Sequence, residues 1–210
     1  MTIRILDPEK AKKRIRDNVA SWKREKLLKQ DDAAKGSEQG AEEIRQLNSM
    51  LFRAAQEGDH EEVGRLLERG ADPNALDIDD TDDRDRTSVL CYACRSASLE
   101  TVKALLEKGA KPDPPNNRPL LSASYYGCTM IVKLLLEHGA DVNGCDNAGF
   151  TPLASAFDYE MHLETVRFLI EAGADVNAVV QGRSLLQRAD EKEGKGSYLS
   201  RLLEKAGAKE

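Results

Sequence analysis

Leu66-Leu67-Glu68-Arg69-Gly70-Ala71-Asp72-Pro73-Asn74 returns, barely altered, as Leu105-Leu106-Glu107-Lys108-Gly109-Ala110-Lys111-Pro112-Asp113. Three further copies follow: Leu135-Leu136-Glu137-His138-Gly139-Ala140-Asp141-Val142-Asn143, Leu169-Ile170-Glu171-Ala172-Gly173-Ala174-Asp175-Val176-Asn177, and the terminal Leu202-Leu203-Glu204-Lys205-Ala206-Gly207-Ala208. The shared glycines stand at 70, 109, 139, 173 and 207, so the spacings are 39, 30, 34 and 34. A constant unit with connections of varying length is the signature of a repeat array, in which no unit buries its own apolar face alone.

The third copy shows the unit's anatomy. Pro119 to Tyr126 reads as a short helix with proline in its first turn, and Thr129 to His138 reads as a second helix after Gly127. Gly139 ends that second helix, because a glycine just past a helix adopts the left-handed conformation without a steric penalty. Ile131, Val132, Leu134, Leu135 and Leu136 are too many apolar residues for one exposed helix, so neighbouring units must stack to cover them. With 5% aromatics and 32% charged residues the chain lacks the strand-forming content of a sandwich or barrel, which favours an all-α fold.

Gly149-Phe150-Thr151-Pro152-Leu153-Ala154, followed by Val166, Leu169-Ile170 and Gly173-Ala174-Asp175-Val176-Asn177, resembles the ankyrin repeat, whose period is about 33 residues. Pro119-Leu120-Leu121-Ser122-Ala123 and Thr87-Ser88-Val89-Leu90 are looser versions of that family's Thr-Pro-Leu-His segment. Leu51 to Asp59 resembles an amino-terminal capping unit, and Arg183-Ser184-Leu185-Leu186 to Gly207 a degenerate closing one. The resemblance implies an all-α solenoid over residues 41–210, in units of about 41–75, 85–113, 117–143, 149–177 and 182–210. Residues 1–40 precede it as a basic helix and linker. The family's histidine is missing from every unit: Leu90, Leu121, Ala154 and Leu186 are read in its place, with the loss of a polar stitch. Units two and four are read as carrying one extra residue between their helices, around Arg95 to Leu99 and Tyr159 to Leu163.

The resemblance implies a protein-binding module that grips its partner on the face made by first helices and hairpin tips. Aligning the units on their glycines places Gln56, Cys94, Tyr125 and Asp158 at the first exposed position, with Glu57, Arg95, Tyr126 and Tyr159 beside them. Tyr125, Tyr126 and Tyr159 are the expected hot spot, because rigid aromatics with a polar tip concentrate binding energy. Asp158, Arg95, Gln56 and, on the next hairpin, Phe150 complete the expected contact set. The alternative for each tyrosine is packing between helices.

Asp77-Ile78-Asp79-Asp80-Thr81-Asp82-Asp83-Arg84-Asp85 holds six acids in nine residues within the longest spacing. Asp79, Asp80, Asp82 and Asp83 suit either a solvated loop or contact with a basic partner surface. Calcium is a poorer fit, since the segment lacks the central glycine and distant glutamate of the known calcium loop, and Ser88 stands at the closing position.

Residues 1–30 hold ten basic against four acidic residues, a charge of +6, while the remaining 21 basic and 33 acidic residues leave −12. An acidic array is poorly suited to nucleic acid. Asp7-Pro8-Glu9 is a good helix start, and Ile15, Val19, Trp22 and Leu27 or Leu28 follow at helical spacing. Residues 10–29 are therefore the place where nucleic acid or an anionic membrane would bind, unless the helix folds back on the array and buries Trp22. No apolar stretch approaches the roughly 20 residues of a membrane span, and Cys91, Cys94, Cys128 and Cys145 suit a reduced, cytoplasmic protein.

Cys91-Tyr92-Ala93-Cys94 is a CxxC with no second such pair, and His60, His138 and His162 fall in different units in contexts where solvation is expected. Phosphate loops, nucleophile elbows and HExxH are absent from the sequence. The expectation is no enzyme, no cofactor and no metal. The expected function is a stoichiometric inhibitor of the immunity type, or an adaptor, holding one protein partner.

Overall fold

A computed structural model describes residues 39–77, 87–112, 118–158 and 162–209, with backbone only at 118 and 158. The basic helix expected within residues 1–38, the acids 79–83 and Tyr159 lie outside the described residues, as does the side chain of Asp158. The chain divides between Gln46 and Leu47, and the unit that begins at Leu47 carries the helix pairs.

Helix pairs follow one another along this unit. Residues 39–57 form α1, whose part from Leu47 onward precedes α2 (His60–Glu68). Then come α3 (Val89–Arg95) with α4 (Leu99–Glu107), α5 (Arg118–Tyr125) with α6 (Thr129–Glu137), α7 (Pro152–Asp158) with α8 (Leu163–Glu171), and α9 (Leu185–Glu193) with α10 (Tyr198–Lys205). First helices pack on first helices and second on second, giving the two layers of an all-α solenoid. The only strands among the described residues are Val179–Val180 (β1) and Arg183–Ser184 (β2), an antiparallel hairpin ahead of α9.

The shared Gly-Ala pair ends each second helix in the same way. Gly139 takes φ +93°, its N–H donates to the Leu136 carbonyl at 3.0 Å, and the Ala140 N–H donates to the Leu135 carbonyl at 3.0 Å. This pair of hydrogen bonds satisfies carbonyls that a helix end would otherwise leave open. Gly70, Gly109, Gly173 and Gly207 repeat the arrangement. The leucine that accepts the outer bond is fully buried in the first four units (Leu66, Leu105, Leu135, Leu169), with Leu203 in the fifth, so one column of leucines runs the length of the stack. Each contributes about 1.5–3 kcal/mol by leaving water. Beside it runs Val63, Val102, Val132 and Val166. The last unit substitutes Ser200, whose buried hydroxyl donates to Asp190 Oδ1 at 2.6 Å.

Asp-x-Asn, which follows the capping glycines 70, 139 and 173, has a separate task. Asp141 Oδ1 accepts the Asn143 N–H at 2.9 Å and so fixes the turn. The Asn143 amide then reaches the next unit, donating to the Gly173 carbonyl at 3.4 Å and accepting the Asp175 N–H at 2.7 Å. Asn74 clamps Gly109 and Lys111 in the same manner, and Asn177 clamps Gly207 and Lys209. Asn143→Ala removes both of its bonds to unit four from a site that water reaches. Its expected cost is about 1–2 kcal/mol, read as a lower urea midpoint with an unchanged slope.

Unit two sits one residue away from the expected register. Ser88, not Thr87, caps α3, accepting the Cys91 N–H on its hydroxyl, as Thr151 does for Ala154 and Ser184 for Gln187. Cys91 and Gln187, rather than Leu90 and Leu186, therefore share a position with Leu121 and Ala154. The same shift removes the expected extra residue from unit two. The Asp59 N–H meets the Ala54 carbonyl and the Cys128 N–H meets the Ala123 carbonyl, five residues back in each case, and Ser98 stands five residues after the equivalent Ala93. Unit four does carry an extra residue, since the His162 N–H meets the Ala156 carbonyl six residues back.

The polar stitch that the absent histidine would supply is replaced from the second helices. The Ser98 and Thr101 hydroxyls both donate to the Gly58 carbonyl, at 3.2 and 3.0 Å, joining units one and two. Thr129 and Thr165 share a buried hydroxyl–hydroxyl bond of 2.7 Å between units three and four.

Candidate protein-binding face

First helices and the hairpin tips beside them bring Arg95, Leu121, Ser122, Tyr125, Tyr126, Asp146 and Ser155 around one hollow of about 320 Å³. It spans three units: Arg95 comes from α3, the tyrosines from the end of α5, Asp146 from the following hairpin and Ser155 from α7. The corrected register explains the composition. Arg95, not Cys94, is equivalent to Gln56 and Tyr125, and it is exposed while Cys94 is buried. The expected exposure of Cys94 is overturned by that single residue of slip.

Tyr125 is half-buried and Tyr126 is 46% exposed, and their rings meet edge to face with centroids 5.2 Å apart and planes at 86°. That geometry suits the ring quadrupoles and limits the freedom of the outer ring. Asp146 is fixed by its own turn, its Oδ1 accepting the Ala148 and Phe150 N–H groups at 2.9 Å each. The hollow thus offers an exposed aromatic surface beside a guanidinium and a carboxylate, a combination suited to holding a protein side chain.

The other expected contacts are placed differently. Phe150 is half-buried, with the Arg188 guanidinium 5.5 Å from its ring centroid, so it helps to seat unit five against unit four. Gln56 is exposed in unit one, outside the hollow.

Tyr92 stands out in the sequence only as part of CxxC, yet the structure gives it a role. Its ring lies edge-on to Phe52 at 5.6 Å, Arg95 lies over it at 5.6 Å, and its hydroxyl donates to Asp77 Oδ2 at 2.6 Å. It therefore ties the base of the acidic segment to the helix that carries Arg95. A correctly registered alignment would have marked it as the residue equivalent to Ser122 and Ser155.

Cys91 and Cys94 are both buried, and Cys91 Sγ lies 3.3 Å from the Ser122 hydroxyl of the next unit. Burial, aided by neighbouring Cys91 and Cys128, raises the Cys94 thiol well above its ordinary value. The thiol is neutral in the folded protein where the unfolded chain ionises. The sign follows: stability is intact below the ordinary thiol value of 9.0 and falls as pH rises above it. Cys94→Ala is expected to flatten this alkaline loss, measured as the urea midpoint between pH 8 and 10.5. Among the described residues no three His, Cys, Asp or Glu side chains converge as a metal site would require.

A family model for ankyrin repeats (3 copies) matches residues 25–116 and 111–180. The chain belongs to the ankyrin-repeat family. Similar proteins include the E3 ubiquitin-protein ligase KEG of Arabidopsis thaliana, 33% identical over 66% of this chain and 9% of that protein. Two putative ankyrin repeat proteins of Rickettsia bellii are 37% and 30% identical, over 55% and 60% of this chain and 35% and 48% of theirs. The chain therefore matches less than half the length of each of these relatives. Ankyrin arrays are generally protein–protein interaction modules, and the hollow between units two and four is where this array offers a mixed aromatic and charged surface. No helix among the described residues is long and apolar enough to cross a membrane.

Proposed function

We propose that this ankyrin array is a stoichiometric inhibitor or adaptor that holds one protein partner in the hollow between units two and four. The observation that carries the reading is the Tyr125–Tyr126 pair, with one ring held by its neighbour and exposed between Arg95 and Asp146. Aromatic and arginine side chains in a partly enclosed centre are where interfaces concentrate their energy. Asp158 and Tyr159 follow in the next unit and extend the contact. Asp79, Asp80, Asp82 and Asp83 meet a basic part of the partner and steer its approach. Catalysis has no part in this role. All four cysteines are free, which fits work in the reducing cytoplasm.

The test is affinity capture from lysate at low and high salt, using the full chain and its Tyr126→Ala variant and reading bound proteins by mass spectrometry. One stoichiometric protein held by the full chain at both salt concentrations and lost from the variant supports the reading. Capture that vanishes with salt and ignores Tyr126 moves the binding to the basic residues 10–29.

A further inference from the structure

The second helices carry a feature unrelated to the hollow. Six residues before the capping glycine, units two to five place Lys103, Lys133, Arg167 and Arg201, one cation per unit on a body whose net charge is −12. They do not all serve the same purpose. Lys103 pairs with Glu107 on its own helix at 3.9 Å, whereas Lys133 Nζ sits 5.1 Å from the Phe168 centroid of the next unit. Arg167 reaches across to unit five, its guanidinium 5.4 Å from the Tyr198 centroid and donating to the Tyr198 hydroxyl. Among the described residues, Arg167, Arg201 and Lys205 form no ion pair.

These three cations border a groove of about 500 Å³ between α8 and α10, whose floor is formed by Ile170, Leu202 and the ring of Tyr198. Glu171 is its one acid. The sign of the rim is particular to this end of the stack. Lys205 occupies the position held by Glu68, Glu107, Glu137 and Glu171 in the other units. A lysine also suits a helix carboxyl end, but that effect is only about 0.3–1 kcal/mol, and four glutamates at the same place show that it does not dictate the residue.

We propose that the groove between α8 and α10 is a second docking surface, for an acidic amphipathic helix of a partner protein. Apolar residues of such a helix cover Ile170 and Leu202, and its carboxylates meet Arg201 and Lys205. The chain's own amino-terminal segment is the wrong occupant, because its +6 charge is repelled by a basic rim.

The probe is a dye-labelled, helix-forming peptide of roughly 16 residues with leucines at i, i+3, i+4 and i+7 and glutamates flanking them. It is titrated into the full chain by fluorescence anisotropy. Among the described residues the Arg201 side chain makes one hydrogen bond, its Nε donating to the carbonyl of the N-cap Ser197 at 3.4 Å, so Arg201→Glu with Lys205→Glu spares the fold; an unchanged melting midpoint verifies this. The expected result is binding that weakens about tenfold or more in that double variant, is lost when the peptide's leucines become glutamines, and is untouched by Tyr126→Ala. Equal binding of the glutamine peptide, affinity indifferent to the double variant, or affinity that follows Lys12→Glu with Lys13→Glu overturns the proposal. So does tighter, Arg201-dependent binding of phosphatidylserine vesicles, which makes the occupant a membrane. An Arg201-dependent dimer in sedimentation of the protein alone makes it a second copy, and overturns it likewise.

Discussion

Gly127→Ala is expected to cost about 3 kcal/mol of stability, about half of it relieved when His162 is also replaced by alanine. Gly127 has φ +67°, and a Cβ built there falls 2.2 Å from Cγ and Nδ1 of the His162 ring. Those atoms lie near the root of the side chain, so rotating the ring tip away does not clear the contact. Two causes of loss can be separated because unit two has already tested one of them. Ala97 occupies the equivalent turn at φ +57°, so an alanine in this left-handed conformation is compatible with the fold at about 1–2 kcal/mol. What unit two lacks is the histidine. The His162 backbone caps α8 while its half-buried ring fills the space above Gly127, with Nε2 buried and unpartnered. A urea-denaturation cycle over Gly127→Ala, His162→Ala and the double variant is expected to show a coupling of about 1–2 kcal/mol. Independent, additive losses would mean that the ring is not what excludes a side chain at Gly127.

His162 also shows why part of the molecule was illegible in its sequence. The glycine spacing revealed the second helices and their ends, because a left-handed residue after a helix leaves a chemical trace at a fixed place. The leucine and valine columns followed from the same register. The turn between the two helices of a unit leaves no such trace: Gly58, Ala97 and Gly127 do one job with different residues. Without a marker there, alignment on the glycines sets the first helix of unit two one position off and puts the buried Cys94 where the exposed Arg95 stands. In so short a helix one residue is about 100° of rotation, enough to exchange core for surface. The solvated context expected for His162 failed for a related reason, since its burial depends on a glycine one unit away. His138 behaved as its position suggested: at the end of α6 its Nδ1 lies 2.9 Å from the Leu134 carbonyl, donating in the tautomer that carries a proton there. The cation column of the second helices was legible, because those positions are fixed by the glycines; reading each helix only for its apolar face passed over it.

The tyrosine pair leads to the second large expected effect. Tyr126→Ala should weaken partner binding by about 2 kcal/mol or more, roughly 30-fold, while leaving the unfolding midpoint almost unchanged. The two outcomes separate because the ring is 46% exposed in the free protein and contributes little to the core, whereas in a complex its remaining surface leaves water. Its edge contact with Tyr125 holds the ring in place before binding, so little conformational entropy is lost on association. Tyr126→Phe retains that surface and is expected to lose only the net value of one hydroxyl hydrogen bond, about 1 kcal/mol. Arg95→Ala tests the rest of the hollow: it removes a charge at the rim and the cation above Tyr92, so its effect should shrink as salt is raised, whereas that of Tyr126→Ala should not. Calorimetric titration of the captured partner against the three variants reads all of this directly. A change of less than about twofold for folded Tyr126→Ala places the partner's energetic centre elsewhere on the array, since a ring so exposed and so held cannot lie at the middle of an interface and leave its affinity untouched.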